Sequence, residues 1–119
     1  MDLYIIDLDQ SFRELGITSE LQDHVVLLSK LCKTNGLDGV VCSPNEISVL
    51  RKEMGQEFIL VTPGIRSDSS NKDDQSRTST ISEALSRGAN YIVIGRQITL
   101  SKDPPKEVDR IIKLVSGLD

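Results

Sequence analysis

Three clusters of residues in this 119-residue chain have the types and spacing to hold an anionic ligand. The first is Gly95–Arg96, at the end of the apolar run Tyr91–Ile94. A strand that ends in glycine lets a ligand approach the backbone, because no Cβ stands in the way. The residue that follows adds an N–H and a guanidinium, and a guanidinium can meet a phosphate through two parallel hydrogen bonds. A turn glycine followed by a solvated arginine has the same two letters, so the pair carries little alone. The second cluster is TPGIR, Thr62 to Arg66. Pro63 and Gly64 set a turn at the carboxyl end of an apolar run, which is where α/β proteins place ligands, and Arg66 follows them. The third is KDDQSR, Lys72 to Arg77. There Gln75 offers both an amide donor and a carbonyl acceptor, within a polar connection of a length that is more often functional than plain.

The elements that must carry these clusters alternate regularly. Leu3–Ile6 is a short strand-like run. From Ser19, a candidate N-cap, apolar residues recur at helical spacing as far as Gly36, a candidate stop. Val40–Val41 is a short buried strand, and Pro44 opens a helix that Gly55 ends. Phe58–Val61 is the third strand. Residues Ser67 to Ser79 are polar and without period, and read as a surface loop. Thr80 and Glu83 have the spacing of a capping box, with Gly88 as the stop of that helix. Tyr91–Ile94 is the fourth strand, and an amphipathic helix beginning at Pro104 or Pro105 closes the chain. The order βαβαβαβα, with short continuous apolar strands, predicts an α/β fold with a parallel sheet covered by helices. Its four β/α units form a single domain over residues 1–119, either a small open sheet or half of an eight-stranded barrel.

Composition narrows the function classes. The chain is 38% hydrophobic and 27% charged, values of a soluble globular protein, with an aliphatic core since aromatic residues make up only 3%. A net charge of −4 without a basic block argues against nucleic-acid binding. No apolar run reaches membrane-span length, and the first residues lack the pattern of a signal peptide, so the cytoplasm is expected. Cys32 and Cys42 lack metal-ligand spacing and are expected to be reduced and buried. His24, the single histidine, falls in an amphipathic stretch and is expected at the surface or half-buried.

Taken in order, GLDGVVCS, EFILVTPGIR, DDQSR and YIVIGRQIT resemble the second half of the orotidine 5′-phosphate decarboxylases of bacteria, from about Ile17 onward. That family makes UMP from orotidine 5′-monophosphate in pyrimidine biosynthesis, without metal or cofactor. The resemblance implies a (β/α)8 TIM barrel to which this chain contributes strands five to eight. It also implies that Gln75, Gly95 and Arg96 grip the substrate phosphate, that Pro63 lies at the pyrimidine end, and that Arg66 stands beside a mobile phosphate loop. In the family an electrostatic Lys/Asp array, written D-x-K-x-x-D, performs the chemistry, and a second subunit lends a residue to the site.

The sequence departs from that pattern in one decisive way. D-x-K-x-x-D is absent from the 119 residues, so no catalytic residue is assigned; the nearest stretch, DLDQS from Asp7, has no lysine. Where the family carries a Thr-Ser pair at the end of strand five, Ile6 or Asp7 stands here. Ile81 and Gln97 replace family prolines. The expectation is a fragment or remnant of the decarboxylase that retains its phosphate-binding half and is inactive alone. Two alternatives stand beside it: the C-terminal subunit of a split enzyme with a separate N-terminal half, and a non-catalytic phosphate-binding or structural protein. A half barrel would leave sheet edges open at Leu3–Ile6 and Tyr91–Ile94, with a bare aliphatic face between them. A homodimer or larger homo-oligomer that covers them is therefore expected, and two copies could recreate a barrel-like closed sheet.

Overall fold

The computed structural model describes residues 1–5, 21–66 and 79–117. Expectations for Ile6, Asp7, Ser19 and Gln75, and for most of the polar loop, lie outside the described residues. The elements run β1 (Leu3–Ile5), α1 (Leu21–Thr34), β2 (Gly39–Val41), a 3₁₀ turn (Pro44–Glu46), α2 (Ile47–Met54), β3 (Ile59–Thr62), β4 (Ile65–Arg66), β5 (Ser79–Thr80), α3 (Ile81–Arg87), β6 (Tyr91–Ile92), α4 (Arg96–Thr99) and α5 (Pro104–Ser116).

Four strands form one parallel sheet in the order β1-β2-β3-β6, so each pairs with the next in the chain. The register aligns Ile5, Val41, Val61 and Tyr91 in one row. Side chains alternate between faces along each strand. Val40, Leu60 and Thr62 fall on the face that the helices cover and are fully buried. Val25 and Cys32 of α1, Ile47 and Leu50 of α2, Ile81 of α3 and Ile111 of α5 belong to the same core. The other face carries Leu3, Val41, Ile59 and Val61, all half-buried. On that side Tyr91 is 55% exposed and Val93 is 49% exposed.

Local chemistry explains most boundaries. The Thr80 hydroxyl accepts from the Glu83 N–H at 3.2 Å, and the Glu83 carboxylate accepts from the Thr80 N–H at 3.3 Å, which makes the expected capping box at the start of α3. Gly88 ends α3 at φ 116°, a left-handed conformation open to glycine. The Asp103 carboxylate caps α5 by accepting from the Lys106 N–H at 3.2 Å, with Pro104 in the first turn.

Several boundaries differ from the sequence expectation. The third strand is Ile59–Thr62, displaced by one residue from Phe58–Val61. Pro44 opens a 3₁₀ turn, and α2 proper begins at Ile47; the Glu46 carboxylate turns back to accept from the Ser43 N–H at 2.9 Å and tightens that turn. The fourth strand stops at Ile92, and the chain leaves the ladder after the Val93 N–H reaches the Thr62 carbonyl at 2.9 Å. The short helix α4 and the parallel β4–β5 pair, which joins the two ends of the polar loop, were not expected. Both cysteines are free and buried, as expected.

Candidate functional site

In a parallel sheet all carboxyl ends lie on one rim. β3 and β6 are neighbours, so the segments that follow them meet on that rim. Pro63 follows β3 directly and is exposed. Gly64 has φ 75°, which the turn into β4 requires of it. Arg66 ends β4, in register with Thr80, and that pairing returns the chain from the polar loop to α3 beside the same rim. Gly95 and Arg96 follow β6 at the opening of α4, and both are exposed. The fold thus brings Pro63, Arg66, Gly95 and Arg96 to one edge.

Two features suit this edge to a ligand. A Cβ built on Gly95 would meet no atom of the described residues within 4 Å, and the bare backbone leaves room for an approaching group. Among the described residues the Arg96 guanidinium has no hydrogen-bond or ion-pair partner, and only the Arg96 carbonyl is bonded, accepting from the Leu100 N–H at 2.9 Å.

The anchor of this rim was invisible in the sequence. Gln97, next to Arg96, donates through Nε2 to the Glu107 carboxylate at 2.9 Å. Arg110 donates to the same carboxylate at 2.7 Å. These bonds, the Arg110 guanidinium first, hold the Glu107 carboxyl down to about 2. They fasten α4, and with it Gly95 and Arg96, to α5. Only the Glu107–Arg110 spacing, three residues apart on one helix, could have signalled part of this; a contact between residues 97 and 107 leaves no periodic trace. A shallow hollow of about 540 Å³ runs along α5, lined among others by Lys102, Lys106 and Lys113. It includes none of the predicted site residues.

Comparison with known proteins identifies the framework. Residues 6–111 match the model of the orotidine 5′-phosphate decarboxylase / HUMPS family. The chain belongs to this family. Among relatives, it is 48% identical over 105 residues to the orotidine 5′-phosphate decarboxylase of Neisseria meningitidis, covering 85% of this chain and 43% of the relative. It is 49% identical over 98 residues to that of Pseudoalteromonas atlantica, covering 82% of this chain and 42% of the relative. The crystal structure of orotidine 5′-phosphate decarboxylase from Lactobacillus acidophilus superposes with a TM-score of 0.75 at 33% identity, over 93% of this chain and 47% of the other. An uncharacterized conserved protein from Geobacillus kaustophilus gives a TM-score of 0.71 at 32% identity, over 92% of this chain and 46% of the other. The α/β fold is therefore that of the decarboxylase family, and the chain spans about half the length of the relatives it matches. No helix among the described residues is long and apolar enough to cross a membrane.

Proposed function

We propose that this chain forms strands five to eight of an orotidine 5′-phosphate decarboxylase barrel and binds the phosphate of a nucleoside monophosphate without decarboxylating it. The observation that carries this reading is a shared rim on a chain whose 119 residues hold no lysine array. Pro63, Arg66, Gly95 and Arg96 share one edge of a family fold, while the 119 residues contain no D-x-K-x-x-D array. Without that lysine there is no proton donor and no preorganised charge for the transition state, so bound substrate has no lowered barrier. Binding and chemistry separate cleanly because they reside on different strands of the barrel.

Gln75 and the Gly95 and Arg96 amides would grip the phosphate, with the Arg96 guanidinium as its charged partner. Pro63 would border the base. The ligand is UMP or orotidine 5′-monophosphate, and no metal or cofactor takes part. Calorimetric titration with UMP tests this. Substitution Arg96→Ala removes a charge-assisted bond worth about 1.5–3 kcal/mol, and so should weaken binding about 10- to 100-fold. Equal affinity of the variant, or undetectable UMP binding by the parent chain, would refute the reading.

One observation favours a second reading. Because the chain covers 42% to 47% of its relatives, a separate N-terminal half with the lysine array could complete a split enzyme. Adding the residues of a relative's first four strands would then restore turnover.

A further inference from the structure

We propose that Gln97, Glu107 and Arg110 are positioning residues for the phosphate grip: they fix the direction in which Arg96 faces the rim. This rests on the reading that the rim binds a phosphate, and it names the residues on which the strength of that binding depends.

The helix that presents Arg96 cannot hold itself. α4 has only four residues, Arg96–Thr99, and none of them is buried. Isolated helices shorter than ~12 residues are marginal in water. The backbone ladder of α4 is correspondingly brief. The Gly95 carbonyl accepts from the Ile98 N–H at 2.9 Å and from the Thr99 N–H at 3.1 Å, and the Arg96 carbonyl accepts from the Leu100 N–H at 2.9 Å. Ile98 is half-buried against the core, while Thr99 and Leu100 are exposed. Such a segment keeps its orientation through a neighbouring element, and α4 lies against α5.

The tie to α5 has two parts. Arg110 first orients the Glu107 carboxylate. Its Nη2 donates to Oε1 at 2.7 Å and its Nε to Oε2 at 3.2 Å, a two-pronged grip between residues three apart on one helix. Gln97 Nε2 then donates to the same Oε1 at 2.9 Å, from α4 across to α5. Gln97 and Glu107 are both half-buried. α5 itself is seated, since Ile111 lies in the core and the Asp103 carboxylate caps the first turn. The rigidity of α5 thus reaches α4 through one carboxylate.

Sequence adjacency turns this bond into a constraint on Arg96. Successive residues of an α-helix project about 100° apart around its axis. Once Gln97 is tied to α5, α4 cannot roll, and Arg96 is held at a fixed angle from that tie. No partner of the Arg96 guanidinium among the described residues sets its direction otherwise. The same tie holds Gly95, which opens α4. A base fixed in advance lowers the ordering cost of binding, which is how residues that do not touch a ligand can raise its affinity.

Calorimetric titration of the purified 119-residue chain with UMP tests this. Glu107→Ala should weaken binding about three- to tenfold, less than Arg96→Ala, because a misdirected guanidinium keeps part of its charge-assisted bond. Glu107→Gln keeps an acceptor for Gln97 and should stay within about twofold of the parent chain. With Arg96 already replaced by alanine, Glu107→Ala should cost less than about twofold more, a result that a merely structural role would not give. Should Glu107→Ala lose structure, Gln97→Ala removes the same bond from the other helix and serves instead. Asp109→Ala, at an exposed acid on α5, should leave the affinity unchanged. Binding that is unaffected by both Glu107→Ala and Gln97→Ala overturns the proposal. So does an undiminished loss in the Arg96→Ala background, which would show that Glu107 acts elsewhere. Undetectable UMP binding by the parent chain refutes the phosphate reading itself and this proposal with it, whereas a parent that binds UMP beside unresponsive variants overturns the positioning role alone.

Discussion

Substitution Arg51→Ala is expected to lower the free energy of unfolding by about 3–5 kcal/mol. Arg51 lies on α2, is 9% exposed, and has no carboxylate partner among the described residues. Its five donor contacts go instead to oxygens at separate points of the chain. Nη1 reaches the Gly55 carbonyl at 2.8 Å and the Phe58 carbonyl at 2.7 Å. Nη2 reaches the Gly88 carbonyl at 2.6 Å and Asn90 Oδ1 at 2.7 Å. Nε shares the Gly88 carbonyl at 3.2 Å. Asn90 Oδ1 also accepts from the Leu60 N–H at 2.9 Å. One guanidinium therefore ties the end of α2, the entry to β3, the C-terminus of α3 and the entry to β6. Alanine strands these buried carbonyls, and an unmet buried acceptor costs more than a bond contributes. Arg51→Lys keeps the charge but not the planar fork, and should recover less than half of the loss. Urea unfolding at one fixed chain concentration measures both, because self-association would make apparent stability concentration-dependent. A shift below about 1 kcal/mol would show that the network is not central.

Gly39→Ala should cost about 3 kcal/mol, at the upper end of what overpacking costs. Gly39 pairs with Ile59 at the centre of the sheet. A Cβ there would collide with the Ile59 carbonyl oxygen and lie 2.7 Å from both the carbonyl carbon and the Cβ of Ile59. These atoms are mostly backbone, so relief requires β2 to move away from β3, and that loosens the ladder on which the rim depends. By contrast, Gly36→Ala meets no atom within 4 Å, and only its φ of 87° should register, at about 1 kcal/mol. The difference between the two variants in thermal unfolding separates close approach from turn conformation. Equal, small losses would contradict the close-approach account.

The sequence was most readable where short-range chemistry decides the structure. The alternation of apolar strands and helices, the Thr80–Glu83 box, the Gly88 stop and the Pro104 start each rest on a few adjacent residues. It was less readable where contacts between distant residues decide. How far the strand at Tyr91 runs depends on β3, some thirty positions away, since the last bond of that ladder goes from the Val93 N–H to the Thr62 carbonyl. Arg51 shares the i, i+3, i+4, i+7 face of Ile47, Leu50 and Met54, but that a guanidinium can be buried there depends on four separate segments converging on it. For the site, Pro63, Arg66, Gly95 and Arg96 were legible as strand ends, and the parallel pairing of β3 with β6 brings them to one rim. The Gln97–Glu107 anchor was not legible, since it joins two helices that no local pattern brings together.

In the proposed reading, the rim of Pro63, Arg66, Gly95 and Arg96 binds a nucleotide on half of a decarboxylase fold. The most direct test is an assay of orotidine 5′-monophosphate decarboxylation by the purified 119-residue chain, at substrate concentrations that saturate UMP binding. The account predicts bound nucleotide and no carbon dioxide release above the uncatalysed rate. Turnover at a rate approaching that of the full-length relatives would contradict it.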